Sequence, residues 1–192
     1  SRRQRQMCIR DRAGSGLENI DVEFAESEDI KCLNASEGNR QAVAEHSIGM
    51  ILSLFNNLNT SDKEVRNGKW EREGNRGIEL AGKTIGIIGF GNNGSAFANV
   101  LQGFGVKILT YDKYLTDYPF QNSMEEMYKQ ADIVSLHVPL TEETTYLADD
   151  NFINNFENLI IGSCNIHFSY FRFFRFIKNM NNHKSVSYTH LT

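Results

Sequence analysis

The chain has 192 residues, enough for one domain or for one domain and part of a second. Its 40% hydrophobic and 23% charged residues are typical of a soluble globular protein, and no run approaches the roughly 20 apolar residues that a membrane-spanning helix needs. The net charge of −4 gives no reason to expect nucleic acid or an anionic membrane as a partner, and three scattered cysteines favour the reducing cytoplasm.

The two ends of the chain carry a match at the nucleotide level. Residues 6–12 and 185–191 can be back-translated into strings whose shared part is the same sequence read on opposite strands. That shared string resembles the transposon end used to fragment DNA for sequencing, and coincidence is the alternative. Residues 1–11 are therefore interpreted as a sequencing-adapter artefact and are left out of the fold prediction.

Upstream of residue 84 the pattern predicts helices and strands in alternation. Apolar side chains between Val43 and Leu58 recur at helical spacing, which indicates an amphipathic helix over residues 41–58. The other predictions are a glycine-rich loop at 12–21, a short helix at 22–29, a strand at 30–33, a loop at 34–39 and a helix at 61–67.

A strand followed by a complete G-x-G-x-x-G motif is the most informative feature of the chain. The short apolar run at residues 84–88 predicts a buried strand, which leads directly into Gly89, Gly91 and Gly94. The first glycine allows a sharp turn, the second allows a close approach of the backbone to a diphosphate, and the third allows a helix to pack against the strand. The motif alone is weak evidence, and a glycine-rich turn of another α/β domain is the alternative.

The residues after the motif favour a dinucleotide site. Residues 95–104 predict a helix, whose N-terminal N–H groups would face the phosphates, and residues 106–111 predict a second strand. That strand ends on Asp112, an acidic residue about 20 positions past the glycines. A carboxylate there would accept hydrogen bonds from a ribose 2′-OH and repel a 2′-phosphate, which favours NAD over NADP.

The pattern continues as α/β after Asp112. Ser123 and Glu126 fit a capping box at the start of a helix over residues 123–130. The remaining predictions are a strand at 132–136, a helix at 149–156 and a strand at 159–161. Strands separated by helices of this length imply a parallel sheet with right-handed crossovers, and Pro139 marks the carboxyl end of one strand, where ligands of such sheets lie.

Four stretches together resemble the D-isomer-specific 2-hydroxyacid dehydrogenases. They are residues 12–21, 34–46, 82–94 and 131–141. The resemblance implies a Rossmann-type, doubly wound parallel α/β sheet, with a partial second (substrate) lobe at the N-terminus. It also implies an NAD-dependent oxidoreductase that acts on the CH–OH group of a D-2-hydroxyacid. Within the family the motifs resemble the branch that uses 3-phosphoglycerate in serine biosynthesis.

The resemblance also implies domain boundaries and site residues. Residues 12–40 would be a remnant of the substrate domain and residues 41–162 the dinucleotide-binding domain. The substrate would contact Gly14, Ser15 and Gly16. The cofactor would contact Ser15, Gly89, Gly91, Asn92, Asn93, Gly94, Asp112, His137, Val138 and Pro139. A small-molecule 2-hydroxyacid or 2-oxoacid is the expected substrate, and the parent protein is expected to be a homodimer or homotetramer without a metal ion.

The chain departs from the family where the catalytic residues are expected. The family uses an Arg, a Glu and a His after the strand at residues 159–161, but residues 161–167 carry no Arg and His167 does not fit the later His. Residues 163–192 show no regular period and are left unassigned as frameshifted or artefactual, with a membrane-surface helix as the alternative. The chain is therefore expected to be inactive alone, and a non-catalytic NAD-binding module, such as a nucleotide sensor or corepressor-like protein, is the alternative function.

Other polar residues allow two interpretations each. His46 could be an acid/base group, but an interface or core-edge histidine is favoured because no carboxylate is spaced to orient it. His137 is interpreted as structural or cofactor-adjacent rather than as an acid/base group. Glu142 and Glu143 resemble paired carboxylates, but a solvated helix start is favoured.

Overall fold

The computed structural model describes residues 9–12, 17, 20–35, 37–139, 141–157 and 160–163. The strands are β1 Ile9–Arg12, β2 Lys31–Asn34, β3 Thr84–Ile88, β4 Lys107–Tyr111, β5 Ile133–Leu136 and β6 Ile160–Ser163. The helices are α1 Val22–Ser27, α2 Arg40–Phe55, α3 Leu58–Arg66, α4 Asn92–Leu101, α5 Met124–Gln130 and α6 Asp150–Asn154. A 3₁₀ turn, Gln102–Phe104, continues α4.

A four-stranded parallel sheet lies at the centre of the described region, in the order β4-β3-β5-β6. Thr84 of β3 aligns with Lys107 of β4, and Ile85 aligns with Ile133 of β5. Because β3 is paired on both sides and covered on both faces, residues 85–88 are all buried and apolar, without the alternation of a strand that has one exposed face. The predicted doubly wound parallel sheet is confirmed.

The chain reverses direction across the sheet at β3. It leaves β3 to form β4 on one side, then crosses back to form β5 on the other side. In doubly wound sheets the crevice at such a switch point, outside the carboxyl ends of the strands, is where ligands bind. The topology therefore places the residues that follow β3, β4 and β5 around a single crevice.

Helices cover the two faces of this sheet and create two apolar cores. Helices α2 and α4 pack on the face that carries Ile85 and Ile87. On the other face, Met127 of α5 and Phe152 of α6 pack against Ile88. A Cβ added to Gly86 would lie 2.9 Å from Met127 Cγ, so α5 approaches β3 at the distance that only glycine allows without a shift.

The N-terminal part of the described region forms a separate β-α-β unit. Strands β1 and β2 pair in parallel, with Ile9 opposite Lys31, and α1 connects them. The Asp21 side chain caps α1 by accepting a hydrogen bond from the Phe24 N–H at 3.0 Å. Strand β1 is not among the predicted elements, because residues 1–11 are interpreted as a sequencing-adapter artefact. That interpretation of residues 1–11 stays a prediction.

Several predicted boundaries are wrong, each for a local reason. Helix α2 ends at Phe55 and not at residue 58, because Asn57 adopts a left-handed conformation (φ 51°) that stops the helix and starts α3. Helix α4 begins at Asn92 and not at residue 95, so it includes Gly94, a residue that ordinarily disfavours helix interiors.

Within the described ranges, no helix is both long and apolar enough to cross a bilayer.

Replacement of Met127 by Ala should lower the free energy of unfolding by about 2–5 kcal/mol, because its fully buried side chain fills the space between α5 and β3. Urea unfolding followed by circular dichroism measures the loss. Lys129→Ala, on an exposed position of the same helix, is the control and should cost less than about 1 kcal/mol. Equal losses in the two variants would contradict the packing described here.

Candidate cofactor site

The turn that follows β3 is held by backbone hydrogen bonds from both neighbouring strands. The Gly89 N–H donates to the Tyr111 carbonyl and the His137 N–H donates to the Ile88 carbonyl, each at 2.8 Å. Gly89 has φ +91°, and a Cβ there would lie 2.6 Å from the His137 carbonyl oxygen. A side chain at this position would meet both an unfavourable backbone conformation and fixed backbone atoms, so the turn requires glycine.

Helix α4 starts immediately above this turn. A Cβ added to Gly94 would lie 1.9 Å from the Gly89 carbonyl oxygen, so the helix backbone contacts the turn directly. A Cβ added to Gly91 would meet nothing within 4 Å, so the space beside the N-terminus of α4 is open. No side chain caps α4, which leaves its first N–H groups, including those of Asn92 and Asn93, available for an anion.

The two asparagines at the start of α4 differ in their surroundings. Asn92 is exposed, whereas Asn93 is partly buried. The Asn93 Oδ1 atom is buried and accepts no hydrogen bond from the described residues. The predicted contribution of both residues to diphosphate binding needs only their backbone N–H groups, which the exposure of the side chains does not change.

Asp112 lies at the end of β4, and its carboxylate connects two loops. Its Oδ2 atom accepts a hydrogen bond from the Phe90 N–H at 2.8 Å, in the glycine-rich turn. Its Oδ1 atom accepts from the N–H groups of Tyr114 at 2.9 Å and Leu115 at 3.1 Å. Burial raises the pKa of Asp112, but these three backbone hydrogen bonds together outweigh burial and hold the pKa below its usual value. Asp112 is therefore ionised at neutral pH and keeps unused acceptor capacity on Oδ2 for a ribose hydroxyl.

Tyr118 and Phe90 form an aromatic pair that contacts Asp112 and that the sequence does not predict. The Tyr118 hydroxyl accepts a hydrogen bond from the Asp112 N–H at 2.6 Å. The Tyr118 ring stacks on Phe90, with ring centroids 5.1 Å apart. These contacts fix the carboxylate relative to the glycine-rich turn. No motif spacing identifies Tyr118, because its position depends on how the loop after β4 folds back.

The segment His137-Val138-Pro139 follows β5 and forms the other side of the crevice. The His137 Nε2 atom lies 2.9 Å from the Ser135 hydroxyl, and its ring lies 5.2 Å from the Phe97 ring. Burial lowers the pKa of His137 to about 4. The imidazole is therefore neutral at physiological pH, which agrees with a structural or cofactor-adjacent role and not with acid/base chemistry.

The remaining candidate residues lie elsewhere. Gly14, Ser15 and Gly16 fall outside the described residues. His46 is exposed on α2. The described ranges contain no group of three or more His, Cys, Asp or Glu residues that could hold a metal ion.

The described site residues fit a dinucleotide. An open space beside Gly91, uncapped N–H groups on α4 and an ionised carboxylate at Asp112 match a diphosphate and its ribose. These groups surround the switch-point crevice of the sheet, which is where doubly wound sheets generally bind their ligands.

Comparison with known proteins identifies the family of this arrangement. Residues 48–161 match the family described as "D-isomer specific 2-hydroxyacid dehydrogenase, NAD binding domain". The chain is 39% identical to a hydroxypyruvate reductase of Thermotoga maritima, in an alignment of 153 residues that covers 78% of this chain and 50% of that protein. It is 36% identical to a D-3-phosphoglycerate dehydrogenase of Synechocystis sp., in an alignment of 148 residues that covers 74% of this chain and 27% of that protein.

A solved structure shows the same fold. The chain superposes on D-2-hydroxyisocaproate dehydrogenase with a TM-score of 0.73 and 28% identity, over 81% of this chain and 49% of that one. The chain thus spans about half the length of the Thermotoga relative and of this structure. The predicted family resemblance and the predicted cofactor, NAD, are confirmed.

The His137 imidazole should titrate with a midpoint near pH 4, well below the usual 6.5, because burial disfavours its charged form. Since the folded pKa is the lower one, the unfolded chain binds more protons between these values. The contribution of His137 to stability therefore falls as the pH drops from about 6.5 to about 4. NMR titration measures the midpoint, and the His137→Gln variant assigns the resonance. A midpoint at 6.5 or above would contradict the burial of the ring that lowers its pKa.

Proposed function

This chain belongs to the D-isomer-specific 2-hydroxyacid dehydrogenase family, and we propose that its parent protein transfers hydride between NAD and C2 of 3-phosphoglycerate, in serine biosynthesis. The observation that carries this proposal is the glycine turn between β3 and α4, with the ionised Asp112 beside it at the switch point of the sheet. Similarity to D-3-phosphoglycerate dehydrogenases supports the choice of substrate.

The described residues would hold the cofactor along the crevice. The N–H groups of Asn92 and Asn93 would bind the diphosphate, and the open space beside Gly91 admits it. Asp112 would accept hydrogen bonds from the adenosine ribose. His137, with Val138 and Pro139, would contact the cofactor from the other side of the crevice. Bound NAD supplies the hydride acceptor, and the protein supplies position and charge.

The substrate would bind between this crevice and the proposed N-terminal substrate lobe. We assign its carboxylate to the backbone N–H groups of Gly14, Ser15 and Gly16, with Ser15 also near the nicotinamide. This assignment makes residues 12–40 a remnant of the substrate domain and residues 41–162 the dinucleotide-binding domain. The family match over residues 48–161 supports the second range.

The chain alone is proposed to be inactive. Substrate orientation needs a cation for the carboxylate, and proton transfer needs a base with a pKa near 7. Residues 161–167 carry no Arg, and the family match ends at residue 161. The neutral, buried His137 does not replace the missing base. The same observations favour a second candidate function, an NAD-binding module without catalysis that senses nucleotides or resembles a corepressor.

The parent protein is proposed to be a cytoplasmic homo-oligomer. Large apolar side chains on and after α3 are exposed, with Leu58 at 54%, Val65 at 54% and Trp70 at 82%. Leu58 and Val65 lie seven residues apart on α3 and so share one face of the helix, and exposed apolar side chains on one face favour burial against a second subunit.

The 192-residue chain should bind NADH saturably without turning over any 2-oxoacid, because it carries the proposed cofactor residues and is proposed to lack the catalytic Arg, Glu and His of the family. Titration of NADH fluorescence measures binding, and NADH absorbance in the presence of 3-phosphohydroxypyruvate measures turnover. Gly94→Val is the matched control, because its side chain would collide with the Gly89 carbonyl and abolish binding. Turnover by the chain would overturn the proposed inactivity, and absence of binding would overturn the proposed site.

Asp112→Ala should weaken NADH binding and reduce the preference for NADH over NADPH by about tenfold or more, because a charged hydrogen-bond acceptor and a repulsive charge are both removed. Dissociation constants for the two cofactors measure the ratio. Asp112→Asn separates the two effects, since it keeps one acceptor oxygen and removes the charge. If both variants leave the ratio unchanged, the role assigned to Asp112 is wrong.

A further inference from the structure

Three charged and polar side chains form a cluster that the proposed function does not use. The Lys113 Nζ atom forms an ion pair with Glu143 Oε1. The Tyr114 hydroxyl donates a hydrogen bond of 2.6 Å to Glu143 Oε2. The Lys113 ammonium also lies 5.6 Å from the centroid of the Tyr114 ring. We call Lys113, Tyr114 and Glu143 the Glu143 cluster. The predicted helix start at Glu142-Glu143 is wrong, because these residues lie in a turn, but both side chains are exposed to solvent as predicted.

The Glu143 cluster joins two loops across the carboxyl end of β3. Lys113 and Tyr114 follow Asp112, in the loop whose N–H groups hold the Asp112 carboxylate. Glu143 comes from the loop after β5, just beyond Pro139. Since β4 and β5 lie on opposite sides of β3, the ion pair links the two sides of the crevice near the residue expected to bind the adenosine ribose.

A hydrogen-bonded turn presents Glu143 at this place. The Thr144 hydroxyl donates to the Pro139 carbonyl at 2.5 Å and accepts from the Thr141 N–H at 2.8 Å. The Thr145 hydroxyl donates to the Thr141 carbonyl at 2.6 Å. These bonds fix the loop to the segment that lines the crevice, so the position of Glu143 is set by the fold and not only by its partner Lys113.

We propose that Glu143 determines cofactor specificity by engaging the Lys113 ammonium, which would otherwise be free to neutralise a 2′-phosphate beside Asp112. This proposal rests on the proposed function, because it concerns the same cofactor site. A basic residue near the ribose is what accommodates a 2′-phosphate in dinucleotide folds. Lys113 is adjacent in sequence to the acidic residue that disfavours this phosphate. With Lys113 neutralised by Glu143, the negative charge of Asp112 is left uncompensated.

The expected effect is modest, because both partners are exposed to solvent. Lys113 and Glu143 have side-chain exposures of 57% and 49%, so water and salt screen their interaction. The hydrogen bond between them raises the pKa of Lys113 and lowers the pKa of Glu143, so both remain charged at neutral pH. Release of Lys113 should therefore change the NADPH/NADH affinity ratio by about fivefold at low salt, and by less at high salt.

The test compares dissociation constants of NADH and NADPH, measured by fluorescence on the full 192-residue chain. Glu143→Gln should shift the ratio about fivefold towards NADPH. Glu142→Gln is the matched control, because it removes the same charge one residue away and lies outside the Glu143 cluster; it should leave the ratio unchanged. Equal shifts in the two variants would overturn the proposal.

A double-mutant cycle tests whether the Lys113 ammonium causes the shift in the NADPH/NADH affinity ratio. In a Lys113→Met background, Glu143→Gln should no longer change the ratio, because no ammonium remains to be released. The same shift in both backgrounds would mean that Glu143 acts through its own charge, which would overturn the role of Lys113. If the unmodified chain binds no NADH, the proposed function fails. If NADH binds and Glu143→Gln leaves the ratio unchanged, only the specificity role of Glu143 fails.

Discussion

The candidate cofactor site depends on the contact between the backbone of α4 and the turn that follows β3. At Gly94 there is no room for a side chain, since a Cβ would lie 1.9 Å from the Gly89 carbonyl oxygen. At Gly89, the positive φ and the nearby His137 carbonyl exclude a side chain for a second reason. This contact sets the distance between the α4 N-terminus and the edge of the sheet. The position of the first N–H groups of the helix therefore depends on the absence of side chains at Gly89 and Gly94.

The strand order of the sheet then determines which residues surround the turn between β3 and α4. Because β3 lies between β4 and β5, the loops after all three strands converge, and Asp112 and His137 come to lie on opposite sides of the glycine turn. Backbone hydrogen bonds connect the turn to both neighbours, through Tyr111 and His137. The site is thus built on paired backbone, with few side chains needed to shape it. Such a site tolerates a change of side chain at Asn92 or Asn93 better than a change of backbone path.

Local features of the site could be predicted from the sequence, whereas features that arise where distant loops meet could not. The strand before Gly89, the glycine motif and Asp112 follow one another at fixed spacing, so periodicity and motif were sufficient to find them. Tyr118 and the pairing of Lys113 with Glu143 depend on loop paths that no period encodes. The boundary between α2 and α3 was missed because it depends on the left-handed conformation of Asn57, which an uninterrupted apolar stripe conceals.

The hydrogen bonds of Asp112 have a consequence for evolution of the cofactor choice. The carboxylate that is proposed to bind the ribose also accepts hydrogen bonds from the backbone N–H groups of Phe90, Tyr114 and Leu115. A lineage that exchanged this acid for a neutral or basic residue would lose an anchor of the turn in the same step, and the partly buried Phe90 amide would need another acceptor. Adaptation to a phosphorylated cofactor would therefore require a compensating substitution that restores the loop before, or together with, the change in selectivity.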